Sequence, residues 1–174
     1  MKESIVNKDS RIRDAHNRYA KIIEKQPQRA LNTYTATAVI EDGFTCRFSQ
    51  GEHSAVMDMP KILGGDDSGP TPGFFARAGI AGCVSVGVKQ AAVMANLVFD
   101  TISVDIETDF DDGAPLGLGK GNAAPLETRL VIRVETDIPE SEVAILIERV
   151  LDHDPWFLAL RDVQSVKTNV IVNQ

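Results

Sequence analysis

Apolar positions recur along the chain with two different periods, and the switches between them mark the elements. From Asp9 to Lys25, Ile12, His16, Tyr19 and Ile23 fall three or four apart among charged residues. That is the stripe of an amphipathic helix, and Pro27 ends it. On that stripe His16 reads as a packed edge residue. Thr33–Ile40 is rich in Thr, Ala and Val and reads as a strand. Asp42-Gly43 signals a hairpin into Phe44–Ser49, and Gln50-Gly51 turns into a third strand, Glu52–Met59. The three form a meander in which Cys46 and Arg47 point to opposite faces, with His53 solvent-facing or at an edge. Pro60–Pro72 (PKILGGDDSGPTP) is built of turn residues and its place fits a loop lining a site.

Phe74–Met94 follows and breaks the pattern, because it carries only two charges, Arg77 and Lys89, and is rich in Gly and Ala. Thr71-Pro72 reads as its start, a hydroxyl N-cap followed by Pro at the first helical position. Gly73, Gly79, Gly82 and Gly87 cost about 1 kcal/mol each against Ala inside a helix. A helix that tolerates them lets another backbone come close. On the 3.6-residue period Gly79, Cys83 and Gly87 share a face, with Phe75 and Val86 beside it. The thiol is therefore expected to be buried against another element or subunit.

Beyond this helix the period returns to two. Ile102, Val104 and Ile106 alternate with polar residues, as do Leu126, Thr128, Leu130, Ile132 and Val134, which predicts two half-buried antiparallel strands. The joining segment Asp111–Pro125 contains GLGKGN but lacks the strand-before, helix-after setting and the Ser/Thr of a phosphate loop, so it reads as a mobile hairpin loop. Asp137, Pro139 and Glu140 predict a capping-box helix start. Val143, Leu146, Ile147, Val150 and Leu151 give that helix its apolar face. Asp154-Pro155 opens a short helix, Trp156–Leu160, with Asp154 as N-cap, and Val166, Val170 and Val172 mark a last strand. The order α-βββ-α-ββ-α-α-β is that of an α+β fold with an antiparallel sheet, not a doubly wound one.

A chain of 174 residues fits one domain with a core, or two small lobes. The net charge of −7 argues against nucleic acid as the main partner. Charge is uneven: residues 1–30 carry eight Lys/Arg against four Asp/Glu, and the remainder is strongly acidic. The basic arm is suited to lie on the acidic body or on a partner subunit. No stretch reads as a signal peptide or a membrane span. Two cysteines make no disulfide scaffold, and free thiols fit a reducing cytoplasm. Two distant Cys and three scattered His have no zinc-ligand spacing, and neither metal nor cofactor is expected.

The stretch MPKILGGDDSGPTPGFFARAGIAGC resembles the OsmC/Ohr family of thiol peroxidases and their relatives. The likeness lies in Pro60, Gly64-Gly65, Gly69, Pro72 and Ala81-Gly82-Cys83 at the family's spacing. It spans roughly Thr33–Asn173 and leaves the N-terminal helix outside. The resemblance implies an OsmC-like α+β domain over residues 31–174, with residues 1–30 as a basic helical extension. It implies an intertwined homodimer with central Cys-bearing helices packed together and two sites at the subunit interface. It also implies a chemistry, in which a thiolate attacks a peroxide O–O bond, becomes sulfenic acid and is resolved by a second Cys, and a dithiol then reduces the disulfide.

Residue by residue, Cys83 matches the attacking Cys. The resolving Cys precedes a Pro near the C-terminus, where this chain has Asp154 before Pro155. The family Glu after the loop's last Pro is replaced by Gly73. The family's activating Arg has an acidic residue, around Asp42, at its ungapped position, and Arg47 lies nearby. Arg77 stands about 240° round the helix from Cys83 and does not share its face. Cys83 is thus the candidate catalytic residue, with Asp154, Arg47 and Cys46 as auxiliary candidates. Cys46 can resolve Cys83 only if the fold brings them within disulfide reach. Three readings follow. One is a stress-related one-Cys reductase of organic hydroperoxides that uses an external thiol. Another is a non-peroxidase relative that binds an apolar or acyl-type small molecule in the dimer cleft. The third takes Cys83 as a small buried hydrophobe.

Overall fold

The computed structural model describes residues 2–118 and 121–172, with side chains from Lys8 onward. Helix α1 runs Lys2–Lys25, longer than the apolar stripe alone predicts, and a 3₁₀ turn follows at Pro27–Ala30. Strands β1 (Thr37–Ile40), β2 (Cys46–Gln50) and β3 (His53–Met57) form the expected antiparallel meander, with Cys46 opposite Ile40 and Met57. Helix α2 is Pro72–Met94. Strands β4 (Thr101–Asp109) and β5 (Glu127–Glu135) make a separate antiparallel pair, followed by α3 (Glu140–Leu151) and α4 (Pro155–Arg161). The architecture is α+β with antiparallel sheets.

The core lies where α2 crosses the β4–β5 pair. Val84, Val88 and Ala92 fall on one α2 stripe and pack with Phe99 and Val143. The inward side chains of β4, Ile102 and Val104, stand opposite Val134 and Ile132 of β5. Leu146, Ile147 and Val150 of α3 cover the same cluster. On the outer face Arg129 pairs with Glu107, Asp109 and Glu127, and Arg133 with Asp105. Exposed pairs of this kind add little stability.

The loop into α2 is pinned by Asp58, which is 1% exposed. One carboxylate oxygen accepts the Met59 N–H, and the other accepts Ser68 N–H, Ser68 hydroxyl and Thr45 hydroxyl hydrogen bonds. These donors, led by the Ser68 hydroxyl, hold the carboxyl at about 2. The loop runs so close to β3 that a Cβ on Gly69 would lie 2.5 Å from the Val56 carbonyl oxygen. The sequence here is fixed by space, and the result is a set starting point for α2.

Several expectations are corrected. Val166, Val170 and Val172 form no strand; residues 163–172 have no regular secondary structure and are exposed, and no strand of the described protomer pairs with them. Thr71 holds the N-cap position of α2 without a side-chain hydrogen bond. Pro139, not Asp137, holds the N-cap position of α3 and, as proline, supplies no side-chain cap bond. Gly119-Lys120 of the GLGKGN loop lies outside the described residues.

The protomer exposes 13433 Å² of surface. A compact 18.9 kDa monomer exposes about 8,300 Å². The surplus includes Val39, Ile40 and Phe44 around the first hairpin, each between 45% and 57% exposed.

Candidate functional site

Cys83 sits in the middle of α2, half-buried, on the face next to the one that packs on the sheet. The expected close approach of another element is made at Gly87, one turn further on. A Cβ there would lie 3.0 Å from Val150 Cγ1 and 3.5 Å from Asp154 Oδ2. Gly79 and Gly82 have nothing within 4 Å, so that end of the small-residue face is open on the protomer.

Asp154 reaches the thiol because it is the N-cap of α4. Its Oδ1 accepts hydrogen bonds from the Trp156 and Phe157 N–H groups at 3.1 and 2.8 Å, with Pro155 at the first helical position. Those bonds fix the carboxylate, which is only 4% exposed, with Oδ2 toward α2. Burial pushes the Cys83 thiol above its ordinary range. Asp154 pushes it further, as acceptor of the S–H and as a negative charge, and the Trp156 N–H opposes them. Among the described residues no guanidinium contributes to the balance, so the surroundings of Cys83 disfavour its thiolate.

Between α2 and α3 a cavity of about 710 Å³ opens beside the thiol. Cys83, Gly87 and Asp154 form one end, Val86, Met94, Ile145 and Leu146 give apolar walls, and Arg149, His153 and Glu142 stand on the α3 side. The His153 ring bonds the Arg149 carbonyl at 2.8 Å. The sequence reading took α3 for its apolar residues and missed these three. Their spacing, with Ile145 and Leu146 between them, is a second helical stripe beside the core-facing one.

The other candidates are not gathered here. Cys46 and Arg47 lie on β2 and do not line the cavity, and both cysteines are free. Arg77 folds back toward Gly73, and His16 bonds the Ile12 carbonyl within α1. The N-terminal helix lies along α2. Lys89 Nζ is 2.9 Å from Asp9, and Arg13 Nε donates to the Val93 carbonyl at 3.0 Å. The anchoring ion pair thus joins an acid of the basic arm to a base of the acidic body. Among the described residues no His, Cys, Asp and Glu group gathers to hold a metal, and no helix is long and apolar enough to cross a membrane.

Comparison with known proteins places this arrangement. None of the curated proteins matches the chain. Among solved structures it is similar to an OsmC-like protein from Mycoplasma pneumoniae, with 17% identity over 76% of this chain and 89% of that one, at a TM-score of 0.65. It is similar to an organic hydroperoxide resistance protein, OsmC, from Legionella pneumophila, with 20% identity over 75% and 90% of the two chains and a TM-score of 0.55. It is also similar to an organic hydroperoxide resistance protein from Vibrio cholerae with captopril bound in one of its active sites. There the identity is 15% over 75% and 85%, and the TM-score 0.52. The model of the OsmC-like protein family matches residues 65–169, from the loop before α2 to beyond α4. With that match over more than half its length and the fold around Cys83 in agreement, the chain belongs to the OsmC-like protein family.

Proposed function

We propose that this chain is a stress-related OsmC-like protein that binds an apolar or acyl-type small molecule beside Cys83 and does not turn over peroxide through that thiol. The observation that carries the reading is Asp154 against Cys83. A peroxidatic sulfur must be a thiolate, and a buried carboxylate neighbour disfavours it. The cavity is within the range of small-molecule sites, about 300–1,000 Å³, and its walls are largely apolar. The Vibrio cholerae relative holds a small organic molecule in an active site of its own. The protein works as a homodimer, with the open Gly79–Gly82 face and the exposed hairpin covered by a second copy. Its setting is a reducing cytoplasm in which both cysteines stay free.

A second reading has one observation in its favour. Cys83 stands at the family's attacking position and opens onto the cavity. As a one-Cys reductase, its thiolate sulfur would bond to one peroxide oxygen as the O–O bond breaks. The other oxygen would leave with a proton as the alcohol, and an external dithiol would reduce the sulfenic acid to thiol and water while becoming a disulfide. The two readings separate on one titration. The alkylation rate of Cys83 followed across pH should give a thiol pKa above about 8.5, the unperturbed value. Excess tert-butyl hydroperoxide at neutral pH should trap no sulfenic acid at Cys83. A lower pKa with rapid sulfenic acid formation replaces the first reading with the second.

A further inference from the structure

We infer that the ligand of the Cys83 cavity is a carboxylate with an apolar tail, selected by Arg149. The inference rests on the binding reading above and adds the head-group chemistry. Among the described residues Arg149 is the only Lys or Arg lining the cavity. Among the described residues no carboxylate pairs with it, although the chain has 25 Asp/Glu against 18 Lys/Arg. Arg129, Arg133 and Arg161 are each taken up by acidic neighbours, and Arg47 and Arg77, which have no ion pair among the described residues either, lie outside the cavity. An unpaired guanidinium at the lip of an apolar groove offers a planar pair of N–H donors to a carboxylate.

The rest of the groove sets the ligand's direction. Asp154 is buried at the Cys83 end and repels a second anion there, so the head stays at the exposed lip by Arg149. Glu142 also lines the groove, two turns back along α3, about 10 Å from Arg149. It disfavours a carboxylate at that end, and the walls between are Ile145 and Leu146 of α3 facing Met94 of α2. Cys83 to Met94 spans about 16 Å of helix, room for a medium-length alkyl tail.

The test is calorimetric titration of the full chain at pH 7 with decanoate, decanol and decylamine below their aggregation limits. Decanoate should bind about tenfold more tightly than decanol. Arg149→Gln should remove that advantage and leave decanol affinity within about twofold, and Arg149→Lys should restore part of it. Arg149 is exposed, and an unchanged thermal midpoint verifies that the variants fold. Equal wild-type affinity for decanoate and decanol overturns the inference, as does preference for decylamine or equal weakening of both probes in Arg149→Gln. In those outcomes the binding reading survives. If none of the three probes binds, the binding reading fails with it.

Discussion

Asp154 divides its two oxygens between structure and chemistry. Oδ1 is spent on the Trp156 and Phe157 N–H groups, which fixes the start of α4, while the charge faces Cys83. Asn caps a helix about as well as Asp, so Asp154→Asn separates the roles. The cap should persist and the charge should go. Cys83 should then titrate lower while staying above an ordinary thiol, because burial is the larger cause of its shift. Each unit of that fall is a tenfold gain in thiolate. Alkylation of Cys83 by iodoacetamide at pH 7.5 should therefore accelerate, by about threefold to tenfold. An unchanged rate, with the thermal midpoint also unchanged, would show that the carboxylate does not act on the sulfur.

Among the elements, the loop between β3 and α2 depends on one ionised side chain. The Asp58 carboxyl lies at about 2, below its ordinary 3.8. A depressed carboxyl stabilises the fold fully above the ordinary value, and that contribution disappears as pH falls through the depressed one. Asp58→Asn should be less stable than wild type at pH 7. The gap between their urea midpoints should close between about pH 4 and pH 2, and a gap constant over that range would assign Asp58 a purely steric part. At this scale much could be read in advance. The β1–β3 meander, the β4–β5 pair and α3 follow from apolar period and turn residues, and α2 and α4 from the capping residue and Pro that open each of them. Sequence period tells which face of an element is apolar, not which element covers it. Hence the small-residue face of α2 was legible, but not that contact comes at Gly87 rather than Gly79. Asp154 was legible as a cap, and the family resemblance gave it the place of the Cys that resolves Cys83; apolar period alone gave no such link, which depends on α3 packing back along α2. The last strand failed for a related reason. Alternating valines need a ladder partner, and none is supplied within the described protomer.

For the whole molecule, the large surface of one copy is what the proposed homodimer has to account for. The excess over a compact monomer is about 5,000 Å², far above the roughly 800 Å² that each partner buries in a standard-size interface. The α2 glycines give a specific test. Within the protomer Gly79 and Gly82 have room for a methyl group. Helix propensity alone therefore predicts that Gly79→Ala and Gly82→Ala each stabilise by about 1 kcal/mol. If a second copy of α2 lies on that face, the added methyl groups instead push the helices apart. Sedimentation should then show the wild type as a dimer at micromolar concentration and the double variant dissociating at tenfold or more higher concentration. The wild-type thermal midpoint should also rise with protein concentration, as for any fold linked to self-association. A monomeric wild type, or a double variant that is more stable and equally dimeric, would remove α2 from the interface and leave its glycines without a role in assembly.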